Sequence, residues 1–218
     1  MTSTTKGEIA LAGGLVLLVV IFFLSVNKNT PPSFEEIFKK TTNTPEETTL
    51  VKSPTITIAD PQNGPGNAKI TIVEFADYNC SHCAEINVVL KQVIAKYPQD
   101  VRLVWKDFPF LAPLETTWQA HMAARCAGKQ NKFWEYHDTL FENQTNLGKA
   151  QFLEMAKMLN LNLSLFESCI NNEDTRPLVE KSFKEGQDIG IDGTPTFFIN
   201  GEKTNSLSLD LIDGLISQ

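Results

Sequence analysis

Apolar residues along this chain fall into three regimes. The first is continuous: Ile9 to Val26 (IALAGGLVLLVVIFFLSV) carries no charged side chain. At about 1.5 Å per helical residue it would span about 27 Å, close to the hydrocarbon thickness of a bilayer. A single membrane-spanning helix is therefore expected within residues 1–26. The competing reading, a cleaved signal peptide, usually has an apolar stretch of about 7–15 residues and a small-residue cleavage site; this run ends in Leu24-Ser25-Val26-Asn27. The second regime is sparse. Residues 27–55 turn to Thr, Pro, Asn, Glu and Lys and read as a polar tether. Within it Phe34, Ile37 and Phe38 stand at helical spacing, enough for one short amphipathic turn or a transient helix.

The third regime, over residues 56–218, mixes short β-branched runs with helical stripes and predicts a single α/β domain. Lys69–Phe75 (KITIVEF), behind the breakers NGPGN, predicts a buried strand. Ile86, Leu90, Val93 and Ile94 then recur at helical spacing, and Val101–Phe108 (VRLVWKDF) predicts a second strand. Strand, helix and strand in that order predict a right-handed crossover and parallel pairing. From about residue 113 to 174 the pattern is helical. Trp118, Met122 and Cys126 share one stripe, Phe133, His137 and Phe141 another, and Phe152, Met155 and Leu159 a third, so a helical insertion is expected. Thr175–Ile189 predicts a further helix with Pro177 in its first turn. Asn200-Gly201 predicts a hairpin turn between Thr196–Ile199 and Glu202–Ser206. A helix over about Ser208–Ser217 closes the chain.

Composition narrows the function classes. With 218 residues, 42% hydrophobic and 21% charged, the chain suits one ordinary domain plus an extension, and a long multi-pass membrane protein is excluded. A formal charge of -7, from 19 basic and 26 acidic side chains, argues against nucleic acid as a partner. The flanks of the apolar run orient it weakly, because Lys6 is offset by Glu8 while Lys28 follows.

The chemistry concentrates at Cys80-Ser81-His82-Cys83, between a predicted strand and a predicted helix. Unpaired N–H groups and the positive end of a helix dipole favour a thiolate at the first cysteine, below the free value of about 8.5. Cys80 is thus the expected nucleophile and Cys83, one turn on, the resolving thiol. A zinc site is the alternative, but it would want a second close pair, and Cys126 and Cys169 stand far apart.

The stretches FADYNCSHC, ARCAGKQNKFWEYHDTLF and GIDGTPTFFING together resemble the DsbA-type thiol:disulfide oxidoreductases, in their membrane-anchored bacterial branch, over about residues 56–218. The resemblance implies a thioredoxin-like fold with an inserted helical domain. It implies an extracytoplasmic oxidase that donates a Cys80–Cys83 disulfide to unfolded or newly exported cysteine-containing proteins, through a mixed disulfide at Cys80. No metal or organic cofactor is expected beyond that redox-active disulfide, and a quinone-linked membrane reoxidase of the DsbB or vitamin K epoxide reductase (VKOR) type is the implied partner. Pro195 matches the family's cis-proline opposite the disulfide, with Thr194 offering backbone groups to an extended substrate strand. His82 matches a histidine that stabilises the first cysteine's thiolate, whereas Ser81 departs from the usual proline.

Glu74, six residues before Cys80, matches a buried acid of related proteins. Desolvated, it would shuttle the proton of Cys83; the alternative is a solvent-facing residue paired with a lysine such as Lys106. Cys126 and Cys169 read as a structural disulfide pinning the helical insertion, the alternative being two free core cysteines. Such a bond persists only in an oxidising compartment, which favours a bacterial membrane with the catalytic domain on its extracytoplasmic side. His121 and His137 read as packing or surface residues. Two rival functions remain open: a reductase or isomerase on the same fold, and a tethered binding or chaperone module gripping unfolded chains near Pro195.

Overall fold

β-branched and aromatic residues build the centre of the domain. A computed structural model describes residues 53–218; the expected anchor, the Phe34–Phe38 segment and the rest of residues 1–52 lie outside the described residues. Strand β1 is Gln62–Asn63, β2 is Ile70–Ala76 and β3 is Val101–Asp107; β4 is Thr196–Ile199 and β5 is Glu202–Thr204. They form one sheet in the order β1-β3-β2-β4-β5. β2 and β3 pair in parallel from Ile70↔Val101 to Ala76↔Asp107, while β1, β4 and β5 join antiparallel. The crossover between the two parallel strands is helix α1, Ser81–Lys96. β1 was not anticipated, because two polar residues carry no period-2 signal. The hairpin turns at Asn200 and Gly201, both with positive φ, as a two-residue hairpin turn of this type demands.

Helices cover both faces. Ile70 and Ile72 of β2 share a core with Leu90 and Val93 of α1 and with Ile212 of the last helix, α7 (Leu209–Ile216). Val73 and Phe75, on the opposite face, pack with Phe108, Phe198 and Phe183 of α6 (Arg176–Asp188). α6 lies so close there that a Cβ on Gly186 would stand 2.6 Å from the Phe108 ring, so glycine is what the approach requires. Lys106, 2% exposed, donates from Nζ to Asp60 Oδ2 (3.0 Å), Glu185 Oε2 (2.9 Å) and the Thr55 carbonyl (2.6 Å). A buried charge with its donors satisfied in this way ties residues 55–60 to the sheet and to α6. Among the described residues, no helix is long and apolar enough to cross a membrane.

Between β3 and α6 stand α2 (Leu114–Gly128), α3 (Phe133–Glu142), a 3-10 turn (Gln144–Asn146), α4 (Lys149–Met158) and α5 (Leu163–Asn171). Their core joins Cys126, Tyr136, Phe152 and Phe166 to Tyr78, Cys80, Cys83 and Trp105, so the helical region packs directly behind the CxxC segment. Cys126 of α2 and Cys169 of α5 are disulfide-bonded, closing a sequence separation of 43. Closing a loop of that size removes about 4 kcal/mol of unfolded-chain entropy. Replacing both cysteines by serine should therefore lower the melting temperature by about 10 °C while thiol chemistry at Cys80 persists, as calorimetry alongside a thiol-exchange assay would check.

Candidate active site

β2 delivers the chain to a turn, Asp77–Asn79, and the turn delivers Cys80 to the N-cap of α1. Cys80 Sγ accepts a hydrogen bond from the Cys83 backbone N–H (3.2 Å), so the sulfur takes the place of a capping oxygen. Its thiol lies 3.4 Å from the Thr194 carbonyl, which precedes the cis peptide bond to Pro195. The site therefore brings Cys80, Cys83, Thr194 and Pro195 together at one end of the sheet, where β2 ends beside the start of its antiparallel neighbour β4.

The two cysteines meet opposite environments. Hydrogen bonding from the Cys83 side chain, then from the Thr194 side chain and the Cys83 backbone, lowers Cys80 from 9.0 to about 6 against the opposing effect of burial. Cys83 is fully buried, and desolvation, the bond to Cys80 and the Glu74 charge all push its thiol far up. One sulfur is poised as a thiolate while the other keeps its proton.

Glu74 shares the face of β2 that carries Ile70 and Ile72, as strand alternation requires, and that face is covered by α1. It is 1% exposed and neither carboxylate oxygen has a hydrogen-bond partner among the described residues. Burial and then the Cys80 charge raise it from 4.5 to about 8. Pairing with Lys106 does not occur, since that ammonium is taken by Asp60, Glu185 and Thr55. His82 turns outward: its side chain is 60% exposed, with Nδ1 3.2 Å from Glu85 Oε2, and among the described residues no hydrogen bond joins it to Cys80. Cys126 and Cys169, bonded to each other, are not available as ligands beside the CxxC pair.

Several residues that hold the turn were not assigned that role from sequence. Asp77 accepts from Phe110 N (2.8 Å) and Leu111 N (2.7 Å) through Oδ2 and from Asn79 N (2.8 Å) through Oδ1. Asn79 Nδ2 donates to the Ala112 carbonyl. Gln144 reaches from the helical region to the carbonyls of Tyr78 (2.8 Å) and Cys80 (2.7 Å). Tyr78 stacks on Trp105 with centroids 4.9 Å apart. Burial lowers His137 to about 3, so its neutral ring accepts from the Tyr78 hydroxyl at Nδ1 (3.0 Å) and donates from Nε2 to Asn87 Oδ1 (3.3 Å). His121 and Arg125, four residues apart on α2, both reach Asp107. A polar pair at that spacing inside the alanine-rich stretch HMAAR was the signal available for them.

A CxxC pair capping the first long helix of a thioredoxin-like sheet, faced by a cis-proline, defines a thiol–disulfide oxidoreductase of DsbA-like fold. The chain belongs to the thioredoxin family, whose model matches residues 56–218. Its fold is similar to that of oxidised BdbD from Bacillus subtilis, with a TM-score of 0.67 at 22% identity, covering 76% of this chain and 95% of that one. The thiol-disulfide exchange protein alpha-DsbA2 from Wolbachia pipientis is similar with a TM-score of 0.66 at 21% identity, covering 73% and 87%. A Na(+)/H(+) antiporter NhaA 3 from Salinispora tropica is 31% identical over 144 residues, which are 66% of this chain and 22% of that protein. The chain spans about a quarter or less of the curated relatives it matches, and antiport is a property of those whole proteins.

The buried acid has a thermodynamic signature. A carboxyl raised from 4.5 to about 8 leaves stability whole below about pH 4.5 and erodes it as pH climbs toward 8, because only the unfolded state ionises freely. Glu74→Leu should thus be more stable than the parent by about 3 kcal/mol at pH 7, with the gap closing at pH 4. Urea denaturation at the two pH values measures this, and a gap that does not narrow on acidification would contradict it.

Proposed function

We propose that the protein is an extracytoplasmic disulfide oxidase acting on unfolded or newly exported cysteine-containing proteins. The observation that carries the reading is the asymmetry of the pair: Cys80 lowered to about 6 beside a buried, protonated Cys83. Stabilising the thiolate stabilises the reduced pair, and a stabilised reduced pair makes the disulfide form a stronger oxidant.

A substrate thiolate attacks Cys80 Sγ of the disulfide. The S–S bond breaks, its electron pair stays on Cys83, and Cys83 takes a proton from Glu74, the buried acid on the same face of the sheet. A second substrate thiolate then attacks the substrate sulfur of the mixed disulfide and releases Cys80 as a thiolate. Two electrons have moved from substrate to protein. Phe110 and Leu114, 46% and 55% exposed near the turn that Asp77 anchors, give an apolar surface suited to unfolded chains. The Thr194 backbone suits an extended strand. The Cys126–Cys169 disulfide supports an oxidising compartment. Reoxidation falls to a quinone-linked membrane partner of the DsbB or VKOR type, and the apolar run of residues 9–26 would hold the domain beside it. The redox-active disulfide itself serves in place of a cofactor.

One observation favours a second reading, a reductase or isomerase. A thiol at about 6 lies nearer to thioredoxin, about 7, than to DsbA, about 3.5. Equilibration of the Cys80–Cys83 pair with glutathione decides between them. One decade of thiolate stabilisation beyond thioredoxin is worth about 30 mV, so the oxidase reading expects a potential above about -240 mV, and a value at or below that assigns the reductase. Cys80→Ala should abolish disulfide transfer to a reduced unfolded protein in the same assay.

A further inference from the structure

Helix α2 turns two basic side chains into the interior, directly behind the CxxC turn. Arg125 places Nε 2.7 Å and a terminal guanidinium nitrogen 2.6 Å from Asp107 Oδ2. His121 Nδ1 stands 2.8 Å from Asp107 Oδ1, which also accepts from Trp105 Nε1 (2.8 Å). The other imidazole nitrogen, Nε2, has no hydrogen-bond partner among the described residues and points to Asp77 Oδ1 at 3.8 Å, a charge contact. Asp77, Asp107 and His121 are all fully buried. Asp107 thus faces two basic groups, whereas the basic group that faces Asp77 is His121.

Asp77 matters to the reaction in two ways. Its carboxylate joins the CxxC turn to the Phe110–Leu111 backbone, and its carbonyl accepts from Cys80 N (3.1 Å). Its negative charge also opposes ionisation of Cys80. We propose that His121 is a positioning residue for thiol–disulfide exchange: as an imidazolium clamped between Asp107 and Asp77, it holds Asp77 in place as a carboxylate and cancels the charge that would otherwise work against the Cys80 thiolate. The inference rests on the reading of Cys80 as the ionised nucleophile.

The surroundings are consistent with a charged ring. Burial disfavours the imidazolium, but the bonds and charges of Asp107 and Asp77 outweigh it and raise His121 above its ordinary value. Asp77 is correspondingly held below its own, despite burial, with His121 the largest favourable influence. The other titratable or charged groups facing the ring are Tyr78, with centroids 4.7 Å apart, Arg125 across Asp107, and His137, which is neutral. With His121 cationic, Asp77, His121, Asp107 and Arg125 sum to zero charge. With it neutral, one uncompensated negative charge sits beneath Cys80, where little water is available to screen it.

The test begins with the full, reduced protein. Imidazole nitrogen NMR should find His121 doubly protonated at pH 7, and a neutral ring there overturns the proposal whatever the variants do. In His121→Gln, thiolate absorbance should show Cys80 binding its proton at least about threefold more tightly than in the parent, with the glutathione equilibrium displaced toward a better reductant. The double variant His121→Gln/Asp107→Asn removes one charge of each sign and should recover most of that change. An unchanged Cys80 titration in a folded His121→Gln protein, or a change the double variant does not reverse, overturns the charge role. If Cys80 titrates near about 8.5 in the parent, it is the nucleophile reading that fails instead.

Discussion

Two sulfurs one helical turn apart must live in opposite electrostatic worlds, and the remainder of the domain is arranged to make that possible. Cys80 sits where α1 leaves its N–H groups unpaired and where Cys83 and Thr194 supply hydrogen bonds, so negative charge is stabilised there. Cys83 sits inside, against a core of aromatic and aliphatic side chains, where negative charge is expelled. A symmetric pair would have no preferred point of attack. This one offers a stabilised leaving group at one sulfur and a proton acceptor at the other.

Holding such a difference across so short a distance requires a rigid turn, and the rigidity comes from outside the sheet. Asp77 fastens the turn to the segment that follows β3, Gln144 fastens it to the helical region, and the stacked Tyr78 and Trp105 fill the space beneath. The helices between β3 and α6 therefore act as a second wall of the site. Their own coherence is helped by Cys126–Cys169, far from the reacting sulfurs in role although part of the same core. Glu74 shows the cost of the arrangement: an acid without a hydrogen-bond partner among the described residues destabilises the neutral-pH fold while remaining available to an inner thiol.

Much of this architecture was legible from periodicity and turn chemistry. The runs KITIVEF and VRLVWKDF, the helical stripe after Cys83 and the Asn200-Gly201 turn each carry a local physical signal strong enough to place an element. The pairing of Thr194 with Cys80 was legible through family resemblance alone, since 114 residues separate them and no local pattern spans that gap. Burial of Glu74 was within reach: it stands two residues after Ile72, on the same face, and alternation alone points it at α1. His121 was read as a packing or surface residue and is packed, but its bond to Asp107, like that of Arg125, was hidden for the opposite reason. A polar residue on a helix reads as solvent-facing until a partner such as Asp107, at the end of the preceding strand, turns it inward. The outward turn of His82, toward Glu85, likewise depends on a helix-surface neighbour. β1 has too few residues to carry any period.

The asymmetry of the two thiols is the claim on which the mechanism stands, and alkylation of the reduced protein tests it most directly. Iodoacetamide labelling followed by site-resolved mass spectrometry should find Cys80 reacting with a midpoint near pH 6 and Cys83 unlabelled up to about pH 10 in the folded state. Labelling of both cysteines at similar rates, with a shared midpoint near the free value of about 8.5, would contradict it.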